Sequence, residues 1–214
     1  MPFKRYDRPS LCHLDKPEID ALLAAPDRTT EQGRRDHAVP LFLYNTGARA
    51  SEAAAVAIRD LDVRSDGSGS VRLVGKGGKT RHCPLWPTTM TLLRALSSGR
   101  SPDEPVFRNR RRAPITRFVV HATVARYVTD AAIACPSLAK KAISPHVIRH
   151  TTATHLLRAG VDINTIRAWL GHVSIDTTNV YAEVDLETKA GCSPRAGHSH
   201  PGRGPAGAGA TIHH

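Results

Sequence analysis

Arg49 stands in the run Thr46-Gly-Ala-Arg49-Ala-Ser-Glu52, with a carboxylate one helical turn beyond it. An arginine fork can grip two phosphate oxygens at once, and a nearby acid can hold that fork in place. The same spacing also fits a structural ion pair joining two helices. Gly75-Lys76-Gly77-Gly78 sets a lysine in a glycine turn. Such a backbone can approach a partner closely, and the lysine would project as a mobile cation and proton donor. An ordinary solvated turn lysine reads the same way. The run is not a phosphate-binding P-loop, because it lacks the G-x-x-x-x-G-K-[ST] spacing.

His146-Val-Ile-Arg149-His150 places its three polar residues at i, i+3 and i+4, on one helical face. His146 falls in the first turn, where a helix N-terminus attracts anions. A histidine and an arginine there suit a phosphate. The stretch lacks H-E-x-x-H and shows no convergent acid or cysteine ligands, so no metal site is expected. His150 and His155 read as packing residues or helix–helix hydrogen bonders. Further on, Leu170-Gly171-His172 precedes Thr177-Thr-Asn-Val-Tyr181. A tyrosine hydroxyl, with a pKa near ~10, attacks phosphorus poorly unless the phosphate charge is neutralised and its own proton removed. Two arginines, a histidine pair and a lysine would do both. A lone tyrosine on an amphipathic helix is otherwise a core residue.

These residues need scaffolding. Asp15 and Glu18 form a capping box that opens a helix with Ile19, Leu22 and Leu23 on one face, stopped by Pro26. A second helix is expected over 33–46, broken by Gly47. Ser51 is expected to cap a short alanine-rich helix over 52–57. The period then changes. Ser70–Val74 alternates as a strand, and 79–85 returns as its hairpin partner. Helices are expected over 88–98 and 115–135, with the basic run Arg108-Asn-Arg-Arg-Arg112 in the loop between them. That run fits a solvated loop and a phosphate contact equally. Ser144-Pro145 starts the helix carrying His146 and Arg149, and it ends at Gly160. Asp162 caps the next helix, which ends near Gly171, and a last helix from about Ser174 would carry Tyr181. Residues 1–14 read as an irregular arm. From Gly191 the chain is rich in Gly, Pro, Ser, Ala and His and reads as a disordered tail.

Length and charge bound the function. The 214 residues suffice for one domain with its own core. A formal net charge of +11 favours a polyanionic partner, nucleic acid before an anionic membrane surface. Cys12, Cys83, Cys135 and Cys192 are scattered and make no C-x-x-C pair, so neither a zinc site nor a disulfide framework is indicated. No apolar run reaches the ~18 residues of a membrane helix, and Met1–Ser10 has no signal-peptide pattern. A cytoplasmic location follows as the expectation.

The order Arg49, Lys76, His146-x-x-Arg149, Leu-Gly-His172, Tyr181 resembles the tyrosine recombinase (phage integrase) family, particularly its Xer-type and transposon-borne members. The resemblance runs over about 12–190 and includes connecting text such as Ser144-Pro-His-Val-Ile-Arg-His-Thr-Thr-Ala-Thr-His-Leu-Leu157. It implies an α+β, mostly helical catalytic domain over 15–190 with a small antiparallel hairpin or sheet. It also implies site-specific cutting and rejoining of double-stranded DNA through a 3′-phosphotyrosyl link. Tyr181 would be the nucleophile. Arg49 and Arg149 would clamp the non-bridging oxygens, and Lys76 would protonate the departing 5′-oxygen. His146 would exchange the tyrosine proton, His172 would hydrogen-bond the phosphate, and Glu52 would orient Arg49. No metal or nucleotide cofactor is implied, and competent members of the family act as tetramers on DNA.

Two departures qualify the match. Family members usually carry a separate helical DNA-binding domain before the catalytic one, and here about a dozen residues precede it. The family-like text also stops near Lys189-Ala190. A truncated, non-catalytic DNA-binding remnant is therefore the runner-up. A relaxing enzyme of the type IB topoisomerase class and a histidine-based metalloprotein rank lower.

Overall fold

The structure, a computed structural model, describes residues 12–171. His172, Tyr181, the expected last helix and the expected tail lie outside these residues. Among the described residues the core begins at Leu14, at the end of the expected arm. Leu14 is wholly buried, and its N–H donates to Thr151 Oγ1 at 2.9 Å. Helix α1 (Lys16–Ala24) follows, with the Glu18 carboxylate accepting the Asp15 N–H at 2.9 Å as the capping-box spacing predicts.

Helix α2 (Glu31–Thr46) is the central element. It starts earlier than expected because Thr30, not a later residue, caps it by accepting the Gly33 N–H. Val39, Phe42 and Leu43 lie deep in the core, and Phe42 meets Phe107 edge-on with ring centroids 5.5 Å apart. Gly47 ends α2 in the left-handed conformation, at φ 59°. Helix α3 (Ala50–Ala55) departs from the expectation. Arg49 rather than Ser51 holds the N-cap position, because Glu52 accepts the Arg49 N–H at 2.9 Å.

The expected hairpin is a three-stranded antiparallel sheet in the order β1-β2-β3, formed by Leu61–Val63, Gly69–Val74 and Thr80–Leu85. The short first strand escaped the sequence reading because three residues carry no readable period. Val71 pairs with Cys83 and Leu73 with Arg81, so these four side chains share the inner face. Gly75 to Gly78 makes a tight turn, and Gly77 and Gly78 take φ of 75° and 74° that a side chain would resist.

Helix α4 (Pro87–Ser97) packs against α2, and α5 (Arg117–Ala131) is capped by Thr116. The helix expected to continue to 135 stops at Ala131, and a separate 3-10 turn follows over Pro136–Lys140. Helix α6 (Pro145–Arg158) is capped by Ser144 through the Val147 N–H, as predicted, and α7 (Ile163–Leu170) by Asp162. Among the described residues no helix is long and apolar enough to cross a membrane.

Candidate active site

The site is organised by the C-terminus of α2. The last carbonyls of a helix have no partner inside it and must find one elsewhere. Here neighbouring elements supply them. Thr152 Oγ1 on α6 donates to Tyr44 O at 2.8 Å, and Trp169 Nε1 on α7 donates to Asn45 O at 3.2 Å. Cys83 Sγ on β3 reaches Thr46 O at 3.9 Å. Arg149 Nη1 on α6 donates to Gly47 O. One helix end thus gathers β3, α6 and α7 around the turn that carries Arg49.

Arg149 is 5% exposed. Its second nitrogen, Nη2, donates to Leu170 O at 2.6 Å, so the fork is held by carbonyls of two different helix ends. Burial lowers its pKa to about 10, and the Arg49 and Arg81 guanidiniums push in the same direction. It therefore stays charged at neutral pH.

Arg49 is the exposed partner, with 43% of its side chain open to solvent. Its Nη1 donates to Glu52 Oε1 at 2.8 Å. Glu52 is buried and binds a second arginine that sequence reasoning missed. Arg81 Nη2 and Nη1 donate to Glu52 Oε2 and Oε1 at 2.7 and 3.1 Å. Arg81 Nε donates to Trp169 O at 2.9 Å. Burial alone would raise the Glu52 pKa. The hydrogen bonds from Arg81, and then that from the Arg49 amide, more than offset it and hold the carboxyl below its usual range. A signal for Arg81 existed: it falls on the inward register of β3, in phase with Cys83 and Leu85. A charged residue facing the core requires a buried partner.

His146 is exposed in the first turn of α6, and His150 is buried one turn on; their rings meet edge-on at 4.4 Å between centroids. His155 has the helix–helix role expected of it, its Nδ1 lying 2.7 Å from Tyr44 Oη. A cavity of 220 Å³ is lined by Arg49, Arg149 and His146, together with Arg117 and His121 from α5, which the sequence did not single out. A second, of 660 Å³, is also lined by Arg49 and includes Gly75, Arg81 and Arg167. The structure thus brings Arg49, Glu52, His146 and Arg149 together. The backbone of the Lys76 turn starts beside them, since a Cβ on Gly75 would stand 3.2 Å from Glu52 Oε1. The Lys76 side chain, His172 and Tyr181 are outside what is described. Among the described residues no group of three or more His, Cys, Asp or Glu could hold a metal ion.

A cluster of guanidiniums around one carboxylate, opening on solvent, is suited to bind a phosphate and to stabilise charge developing on it. Comparison with known proteins gives the family. Residues 13–188 match the phage integrase family, and the chain belongs to it. It is 39% identical over 206 residues to a protein of Sinorhizobium fredii named as an integrase/recombinase, covering 93% of this chain and 61% of that one. It is 37% identical over 178 residues to the tyrosine recombinase XerC of Pelobacter propionicus, covering 82% of this chain and 56% of that one. The chain therefore spans about three fifths of the length of these relatives. The crystal structure of XerA recombinase superposes with a TM-score of 0.66 at 26% identity, over 86% of this chain and 66% of that one. The fold is also that of XerH bound to its palindromic difH substrate after cleavage, at a TM-score of 0.68 and 24% identity, over 85% of this chain and 53% of that one.

Proposed function

We propose that this chain is the catalytic domain of a site-specific recombinase that cuts and rejoins double-stranded DNA through a 3′-phosphotyrosyl intermediate. The observation that carries the reading is the convergence of Arg49 and Arg149 on one cavity with His146, inside a chain of the phage integrase family. In this mechanism Tyr181 Oη attacks the scissile phosphorus, the P–O5′ bond breaks, and the 5′-oxygen leaves protonated by Lys76. His146 takes the tyrosine proton and returns it in the reverse step. Arg49 and Arg149 bind the non-bridging oxygens and stabilise the pentacoordinate transition state. His172 adds a hydrogen bond to the phosphate, and Glu52 holds Arg49. The phosphodiester energy is kept in the covalent link, so the scheme uses neither a nucleotide nor a metal ion. The active assembly is a tetramer on DNA, working in the cytoplasm.

Incubating the protein with nicked duplexes carrying candidate sites, without added metal, should give a protein–DNA adduct on a denaturing gel. Tyr181→Phe should abolish the adduct and leave DNA binding nearly intact. Equal adduct from that variant would remove Tyr181 from its role, and no adduct on any nicked duplex would refute the reading.

A further inference from the structure

Arg81 has no place in the mechanism above, yet among the described arginines of the site it makes the most side-chain hydrogen bonds. Its side chain is nine-tenths buried; the guanidinium makes two hydrogen bonds to Glu52, while its Nε donates to the Trp169 carbonyl at the end of α7. The backbone of Gly171 lies directly on it: a Cβ there would stand 2.9 Å from Arg81 Cδ, and Gly171 takes φ 69°. Arg81 therefore touches three pieces of the site at once. These are the Glu52 carboxylate that holds Arg49, the end of α7 that also binds Arg149, and the residue immediately before His172.

Its charge matters as much as its reach. Glu52 accepts both the Nη1 and the backbone N–H of Arg49. A buried carboxylate facing only Arg49 would neutralise that guanidinium, and an incoming phosphate would have to compete with it. Arg81 sits on the same two carboxylate oxygens and cancels their charge. Glu52 then still fixes the orientation of Arg49, but it no longer quenches the arginine's field. Resting on the recombinase reading, we propose that Arg81 is a positioning residue that neutralises Glu52 and thereby presents Arg49 to the scissile phosphate as an uncompensated cation.

Charge and geometry can be separated by substitution. Arg81→Met removes the charge and leaves Glu52 to quench Arg49. Arg81→Lys keeps the charge and loses the fork. In Glu52→Gln/Arg81→Met both charges are gone, so the quenching is relieved. Each protein is titrated with inorganic phosphate, following the arginine Nε–H signals by NMR. Each is also assayed for single-turnover adduct formation on a nicked duplex, after thermal melts establish that it is folded. Loss of a direct oxyanion donor costs about 100- to 1,000-fold in rate, so a residue acting through Glu52 should cost less, on the order of 10- to 100-fold. Arg81→Met should lose about tenfold in phosphate affinity and at least that in rate. Arg81→Lys, and separately the double variant, should recover to within roughly threefold of the parent affinity. Unchanged phosphate affinity in Arg81→Met would overturn the proposal. So would a double variant, or an Arg81→Lys variant, as weak as Arg81→Met, because a purely structural bolt is not restored by removing the carboxylate it grips. Should Arg81→Met not fold, the Arg81→Lys titration decides alone. The predicted affinity pattern without adduct from the parent would leave Arg81's role standing and remove the strand-transfer reading instead.

Discussion

Replacing Gly47 by alanine probes the joint on which the whole site turns. Gly47 sits at φ 59°, in the left-handed region, and its carbonyl accepts from Arg149. An added Cβ would stand 2.2 Å from Leu170 Cδ2, on a side chain that is 1% exposed. Two costs add. The left-handed backbone costs an alanine about 1–2 kcal/mol. Forcing a methyl into packed surroundings costs about 1–3 kcal/mol, reduced here because a leucine tip can rotate. A total of about 2–4 kcal/mol should lower Tm by roughly 5–15 °C in a chain of this size. Gly160→Ala supplies the control. Gly160 also has a positive φ, of 81°, but nothing lies within 4 Å of the place its added methyl would occupy. It should show the backbone cost alone. Circular dichroism melts measure both, and adduct yield reads the site. Because Leu170 O is the other acceptor of Arg149, pushing Leu170 away disturbs the clamp as well as the fold. Gly47→Ala with the same Tm as Gly160→Ala, or with parental adduct yield, would refute the claim that this close approach fixes Arg149.

Two further outcomes test neighbouring features. Glu52 has its pKa held below the ordinary 4.5, so its contribution is complete above that pH and is lost as the pH falls through the folded-state value. The Tm gap between the parent and Glu52→Gln should therefore narrow on acidification below 4.5, and a gap constant with pH would contradict the assignment. Arg112 is the one non-glycine with positive φ among the described residues, at 63°. Arg112→Gly should leave stability unchanged or raise it by up to about 1 kcal/mol, since relief of left-handed strain exceeds the entropy that glycine adds to the unfolded chain; denaturant melts showing a loss would count against this.

Much of this architecture was legible because it rests on local rules. Ser144 and Asp162 announced α6 and α7 as capping residues, and Gly47 announced the break that aims Arg49. The i, i+3 spacing put His146 and Arg149 on one side of α6, and they do line one cavity. What escaped was long-range. Arg81 and Glu52 are joined across the fold, and nothing near either residue in sequence names the other. The placement of Arg117 and His121 beside Arg49 likewise depends on how α5 packs against α3. Even local reasoning misfired where a tertiary demand intervened. Ser51 is an excellent cap by type, but Glu52 is drawn inward by Arg81, its carboxylate takes the Arg49 N–H, and the helix starts before Ser51 can cap it.

The contrast between Arg49 and Arg149 shows how the fold manages buried charge. Lowering the Arg149 pKa from 12.5 to about 10 corresponds to roughly 3 kcal/mol of unfavourable free energy in the charged form, present at all pH values below the folded-state pKa. A carboxylate beside Arg149 would offset that cost and would also neutralise the charge that the proposed mechanism needs. The chain uses carbonyls instead. Gly47 O and Leu170 O belong to the C-terminal ends of α2 and α7, where each helix carries about half a unit of negative charge. Each is one pole of a dipole whose positive pole stands at the other end of the same helix, so two such ends hold a guanidinium in place without adding the net negative charge of a carboxylate. Arg49, nearer to solvent, does have a carboxylate, and there Arg81 offsets the carboxylate in turn. By both routes the cluster keeps an excess of positive charge that a bound phosphate oxygen would neutralise, so part of the stability forgone in folding is recovered when the anion arrives.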